Sequence, residues 1–139
     1  MRAKVSVLVW LLFFCIFFTK THAQKYQVVF DMTSNDAVNQ QALIRQLSGI
    51  RELNSLAKME IVIYGQGLSL VKKDSPDTQD AIKKLIAEPN ITFKVCAITM
   101  KRNNIDKSQL LDGVQVVPDG IYEIVKRQQE GWGYIKVAH

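Results

Sequence analysis

Cys96 is the residue best placed to do chemistry in this chain. It follows ITFKV and precedes AITMKRNN, where an apolar, strand-like run gives way to a basic, polar one. The other cysteine, Cys15, lies in the apolar N-terminal run, so removal of that run leaves a single thiol. Exported proteins as a rule pair their cysteines, and an odd one points to an intermolecular bond or a reactive sulfur. The opposite reading is a packed structural thiol, since free cysteine is among the most buried residue types. Sequence position leaves the two open. A thiol acts as its thiolate, and four neighbours are candidates to favour that form. Lys94 precedes it by two residues, on the same side of a continuing strand. Lys101 and Arg102 follow closely, and Thr99 could cap a helix whose first amides face the sulfur.

Other chemistries lack their parts. Beyond residue 23 the one histidine is His139, the last residue, so a Ser-His-Asp or Cys-His arrangement would rest on a frayed terminus. A single cysteine with that histidine falls short of the roughly four ligands of a usual zinc site. Gly65-Gln66-Gly67 is neither a Walker loop nor GxGxxG, because no Lys-Ser/Thr and no third glycine follows; it reads as a tight turn after a strand. No flavin signature is present, and no cofactor is expected.

The first 23 residues read as an export signal. Arg2 and Lys4 form a positive start, Val5 to Phe18 is a weakly polar or apolar run of 14 residues, and Thr21 and Ala23 are small residues before a cut at Gln24. That run is short of the roughly 20 residues a membrane-spanning helix needs. The expected organisation is a signal peptide over 1–23 and one domain over 24–139, periplasmic or secreted, with no membrane attachment after cleavage. Three of the eighteen basic residues and none of the thirteen acids lie in the signal, which leaves fifteen against thirteen, a net +2 instead of +5. No basic stripe with interleaved aromatics remains, so nucleic acid is not an expected partner.

Apolar runs and helical periods alternate along the domain. Strands are expected at Tyr26–Met32, Glu60–Tyr64, Ile91–Ile98, Val114–Val117 and Tyr134–Val137. Asp36 can cap a helix in which Leu43, Leu47, Ile50, Leu53 and Ala57 recur at three- and four-residue steps. Ser75-Pro76-Asp77 forms a helix start, with Ala81, Ile82, Leu85 and Ile86 inward and a stop at Pro89-Asn90. Asp106 to Gln109 matches a capping box. Pro118-Asp119-Gly120 opens a last helix with Ile121, Ile124 and Val125 inward. The order βαβαβαβαβ calls for an open parallel sheet with helices on both faces, and ligand sites in such sheets lie outside the carboxyl ends of the strands. Asp31 to Asn35, Gly65 to Leu68 and Cys96 to Arg102 end at that edge. Asn35, Gly65, Gly67 and Thr99 are therefore the expected rim and binding positions. Trp132 is expected in the core or a subunit contact.

The segments ALIRQLSGIREL, EIVIYGQGLSLV, FKVCAITMKRNNI and LLDGVQVVPDGIYEIVKRQQEGWGYIK together resemble the DsrE/DsrF-like family, more closely its small exported branch. The resemblance spans nearly the whole domain. It implies a flavodoxin-like, three-layer α/β/α sandwich with a five-stranded parallel sheet, assembled into trimers or hexamers. In the family's sulfur-relay members a cysteine after a central strand accepts persulfide sulfur and passes it on. Their pattern of Cys, then Arg about six residues on, then Gly, resembles Cys96, Arg102 and the position of Asn104. Asn tolerates a left-handed backbone next best after Gly. Tyr64 stands where relatives often carry His, and Asp119 where they often carry Ser. The expectation is thus a sulfurtransferase-like carrier using Cys96, with Arg102 and Lys94 stabilising the sulfur anion and a protein sulfur donor or acceptor as partner. The alternative is a non-catalytic oligomeric scaffold with a packed Cys96 and a small ligand held at the rim between subunits.

Overall fold

The computed structural model describes residues 25–74 and 78–137. The signal at 1–23, the helix start at Ser75-Pro76-Asp77 and His139 lie outside the described residues. Five strands form one parallel sheet: β1 (Gln27–Met32), β2 (Lys58–Ile63), β3 (Ile91–Cys96), β4 (Gln115–Val117) and β5 (Gly133–Val137), in the order β4-β3-β2-β1-β5. Four α-helices connect them: α1 (Ala37–Leu53), α2 (Gln79–Ile86), α3 (Ala97–Arg102) and α4 (Gly120–Gln129). This is the open parallel sheet with helices on both faces that the element order called for, and the five-stranded flavodoxin-like architecture that the resemblance implied.

Handedness distributes the helices. Parallel crossovers are right-handed almost without exception, so successive steps in one direction place their helices on one face. The steps from β1 to β2 and β3 put α1 and α2 there. The return from β4 to β5 runs across the sheet and puts α4 on the other face. The first face accordingly holds the main core. Val28, Phe30 and Met32 of β1, Met59, Ile61 and Ile63 of β2, and Phe93 and Val95 of β3 pack against Leu43 and Leu47 of α1 and Ile82 and Leu85 of α2. Each such side chain, fully buried, contributes about 1.5–3 kcal/mol. The second face has a much smaller apolar cluster: Val29, Val62 and Ile124, with Tyr64 partly buried against them. Apart from Cys96 and Val117, its remaining strand positions are mostly polar or charged, among them Asp31, Glu60, Thr92, Lys94, Tyr134 and Lys136.

Local signals explain most element ends. The Asp36 carboxylate accepts from the amides of Val38 (2.8 Å) and Asn39 (3.1 Å) and starts α1. Asp119 does the same for α4 through Ile121 and Tyr122 (2.8 and 3.1 Å). The capping box at Asp106 and Gln109 is present, although it starts a single 3-10 turn. Asn104 takes a positive φ of 51°, a left-handed backbone that Asn tolerates next best after Gly. Several expectations need correction. α1 ends at Leu53, which is 90% exposed, so Leu53 and Ala57 do not extend its buried stripe. Gly65-Gln66-Gly67 begins a 3-10 segment (Gly65–Val71) instead of a tight turn. Ile121 and Val125 face outward, Ile121 at 60% exposure, because α4 lies alone on its face and, of its large apolar side chains, Ile124 is the one packed on the sheet.

Gly67 is where backbone approaches backbone. A Cβ there would overlap the Met32 carbonyl and stand 3.2 Å from the Thr33 Cα. Gly67→Ala is therefore expected to lose about 1–3 kcal/mol of stability. Gly49, inside α1 with nothing within 4 Å of its Cβ position, should gain about 0.5–1 kcal/mol as Gly49→Ala. Urea midpoints of the two variants moving in the same direction would contradict this packing.

Candidate functional site

Cys96 closes β3 and at the same residue caps α3, with φ −70° and ψ 121°. The strand thus ends two residues earlier than expected, and Thr99 lies within α3 instead of capping it. The Thr99 hydroxyl accepts from the Gly65 amide at 3.2 Å, tying α3 to the turn after β2. The sulfur makes no capping hydrogen bond. Ladder register sets its neighbours. Ile63 pairs with Val95, so Tyr64 and Cys96 stand side by side, and Val117 flanks Cys96 on β4. Above them lies the first residue of α4. A Cβ on Gly120 would be 3.3 Å from the Cys96 Cβ, 3.2 Å from Val62 Cγ1 and 3.4 Å from Tyr64 Cδ1. The α4 backbone therefore roofs the thiol, which is only 6% exposed.

Lys94 does share the face of Cys96, but its charge is already engaged. Its ammonium lies 2.9 Å from Glu60 Oε2 on β2 and 2.6 Å from Glu123 Oε1 on α4. Arg127 closes the ring, with Nε 2.9 Å from Glu60 Oε2 and Nη2 3.2 Å from Glu123 Oε1. Its Nη1 reaches Glu130 at 2.7 Å, and its guanidinium stacks 4.9 Å from the Trp132 ring centroid. Two cations and two carboxylates thus alternate beneath α4. Charge buried in a low-dielectric interior must be paired in this way. One acceptor is left over: Glu60 Oε1 is buried with no hydrogen-bond partner, in a residue 3% exposed.

A second polar cluster lies across β2 from the thiol. Asp31, 4% exposed, accepts from the Tyr134 hydroxyl (2.7 Å) and the Lys136 ammonium (3.1 Å), and Lys136 also meets Thr33 Oγ1 at 3.0 Å. Burial, then the charge and hydrogen bonding of Asp31, push the Tyr64 phenol up to about 12. The hydrogen bond to Asp31, then burial, push Tyr134 up to about 12 as well. Both phenols stay protonated at neutral pH, so neither serves as a general base. No histidine lies among the described residues.

The expected rim residues separate. Asn35 and Gly65 line an open cavity of about 340 Å³ with Gln66 and Asn103; Cys96 is not in its wall, and Gly67 is buried against the end of β1. Arg102 ends α3 with its side chain exposed. It lies about 9 Å along the helix axis from the cap, at six residues of 1.5 Å rise. The helix begins at Ala97, which carries Arg102 to the end remote from the sulfur. Trp132 is partly exposed against Arg127, not in the core. Sequence reading gave no role to Gly120 as the roof or to Glu60, Glu123, Arg127, Asp31, Tyr134 and Lys136. The available signal was a lone charge in each of three apolar strands (VVFDM, EIVIY, FKVC) at positions of second-face parity, since such charges need buried partners.

Burial alone would raise the Glu123 carboxyl, but the hydrogen bond and charge of Lys94, and then the charge of Arg127, hold it below its ordinary value. Its stabilising contribution is complete above the usual carboxylate range, about pH 4.3, and is lost as pH falls through the lower folded value. Glu123→Gln should therefore be less stable than the parent at pH 7 and lose less on going to pH 3. Parallel stability profiles of the two proteins would contradict the ring as described.

The sequence profile of the DsrE/DsrF-like family matches residues 24–137. The chain is similar in structure to protein MTH1491 from Methanobacterium thermoautotrophicum, a protein of unknown function, with 30% identity, 81% of this chain and 99% of that one covered, and a TM-score of 0.76. It is also similar to protein BT1422 from Bacteroides thetaiotaomicron (16% identity, 80% and 94% covered, TM-score 0.67). The ychN protein from E. coli is comparable (17% identity, 81% and 98% covered, TM-score 0.66). These last two similarities bear on fold alone. No curated protein matches the chain. A match over nearly all of the described domain, together with the five-stranded parallel sheet, places this chain in the DsrE/DsrF-like family.

Proposed function

We propose that the protein carries sulfane sulfur on Cys96, taking it from a persulfide donor and passing it to a thiol acceptor. The observation that carries this reading is the seat of the sulfur. It stands at the carboxyl end of a central strand, caps α3, and lies under the first residue of α4. Helix N-termini favour negative charge, which supports the reading of this residue as a sulfur carrier. The family as a whole is associated with sulfur relay. In the transfer, the Cys96 thiolate attacks the terminal sulfur of a donor persulfide, R–S–SH. The donor S–S bond breaks, R–S⁻ leaves, and Cys96 becomes Cys–S–SH, with no net oxidation. The second half repeats the exchange toward an acceptor thiol. Near-complete burial shelters the persulfide from over-oxidation. Lys94 acts on this site through its ring of charges, and Arg102, exposed at the far end of α3, is left to contact with a partner protein.

The 6% exposure of Cys96 favours a second reading, an oligomeric scaffold with an inert thiol. Intact mass separates the two. Incubation of the native chain with a persulfide donor should add about 32 Da, one sulfur, and the adduct should be absent from Cys96→Ser. A thiol that labels only after denaturation would refute the carrier and favour the scaffold.

Export to the periplasm or medium and assembly into a homo-oligomer complete the proposal, supported by the signal-like start and by Ile121, Tyr122 and Val125 standing exposed on α4. Purified from the exported fraction, the chain is expected to begin at Gln24 and to scatter light as a trimer or larger. A retained leader would contradict the first part, and a monomer at micromolar concentration the second.

A further inference from the structure

Three facts about the second face bear on one another. Cys96 is 6% exposed, and the backbone of Gly120 packs over it, with 3.3 Å between the Cys96 Cβ and the position a Gly120 Cβ would take, which leaves little of the residue open to a donor while α4 is seated. α4 meets this face through a small apolar patch, Ile124 against Val29 and Val62 with Tyr64 beside them. The rest of its attachment is the ring, which joins Glu123 and Arg127 of α4 to Glu60 of β2 and Lys94 of β3. Glu123 follows Gly120 by three residues, less than one helical turn, and Lys94 precedes Cys96 by two on the same strand. The charges that hold α4 down are therefore rigidly coupled to both the roof and the sulfur.

Taking Cys96 as the reacting group proposed above, we propose that the ring of Glu60, Lys94, Glu123 and Arg127 is a positioning element: it sets Gly120 over Cys96 and governs how fast the sulfur is reached.

The ring suits that task better than an apolar contact would. Hydrocarbon surface separates only at the full cost of its exposure to water, whereas charged groups regain hydration when they part. The orphaned Glu60 Oε1 tilts the balance further, because an unmet buried acceptor is costly in the closed state and is hydrated in the open one. An open cavity of about 390 Å³, lined by Glu60, Lys94, Arg127 and Trp132, reaches the ring from the amino-terminal edge of the sheet and gives water a short route to it. Opening of α4 is in these terms a local event that leaves the core of the first face packed.

Alkylation of the native chain by iodoacetamide, followed by intact mass, tests this directly. Glu123→Gln and Arg127→Met are expected to speed Cys96 modification about tenfold or more, and Arg127→Lys, which keeps one charge in place, to recover much of the parent rate. Arg51→Ala, which removes the surface pair with Glu88 (2.9 Å) on the opposite face, should leave the rate unchanged. The decisive readout is low concentrations of urea. Local opening gives rates nearly independent of urea, whereas access through global unfolding carries the full denaturant slope. Unchanged rates in both ring variants, or rates that rise with the global slope, would overturn the proposal. Alkylation reads access alone, so a chain that shows these rates yet accepts no sulfur would refute the carrier and leave the positioning role standing.

Discussion

Right-handed crossover connection is the constraint from which the rest of this molecule follows. Three strands added in one direction oblige their helices to share a face, and the single return step leaves the other face to one helix. The consequence is an uneven body. The first face is a dry core of aliphatic and aromatic side chains, and the second is a thin apolar patch among charges. Cys96 belongs to the second. Its parity on β3 was decided once Phe93 and Val95 turned toward the main core, because neighbouring residues alternate and every second-face position goes with the thiol.

A face with so little hydrocarbon needs another means of attachment, and buried charge supplies it. Glu60 and Lys94 sit on central strands, where an unpaired ion would be very costly, so each must find a partner from what crosses above. α4 brings a glutamate and an arginine four residues apart, a spacing that turns both toward the same surface. Asp31 solves the same problem at the other edge with Tyr134 and Lys136 of β5. The two clusters flank the small apolar patch, and the thiol lies at its upper border.

How much of this was legible in the sequence depends on the range of the interaction. Asp36 and Asp119 begin their helices through contacts two and three residues away, and both were readable as caps. The left-handed backbone at Asn104 came from the resemblance and not from a local signal. The strand-to-helix switch at Cys96 was not readable, because Ala97 and Ile98 suit either conformation and carry the apolar run on past Val95 and Cys96 without a break. Ile121 and Val125 recur at core spacing, but spacing cannot report that the facing layer is missing. Lys94 was assigned to the sulfur by proximity along the chain. Its real partners lie 34 and 29 residues away, and only the assembled sheet brings them nearer to its charge.

The proposed positioning role requires that α4 be held to the sheet chiefly by paired charge and open without disturbing the first face. Native-state hydrogen exchange measures this most directly. The account predicts that amides of α4 exchange through an opening smaller than global unfolding and nearly independent of denaturant, while those of β1, β2 and β3 exchange only when the whole domain unfolds. Exchange of α4 with the same free energy and denaturant dependence as the central strands would contradict it.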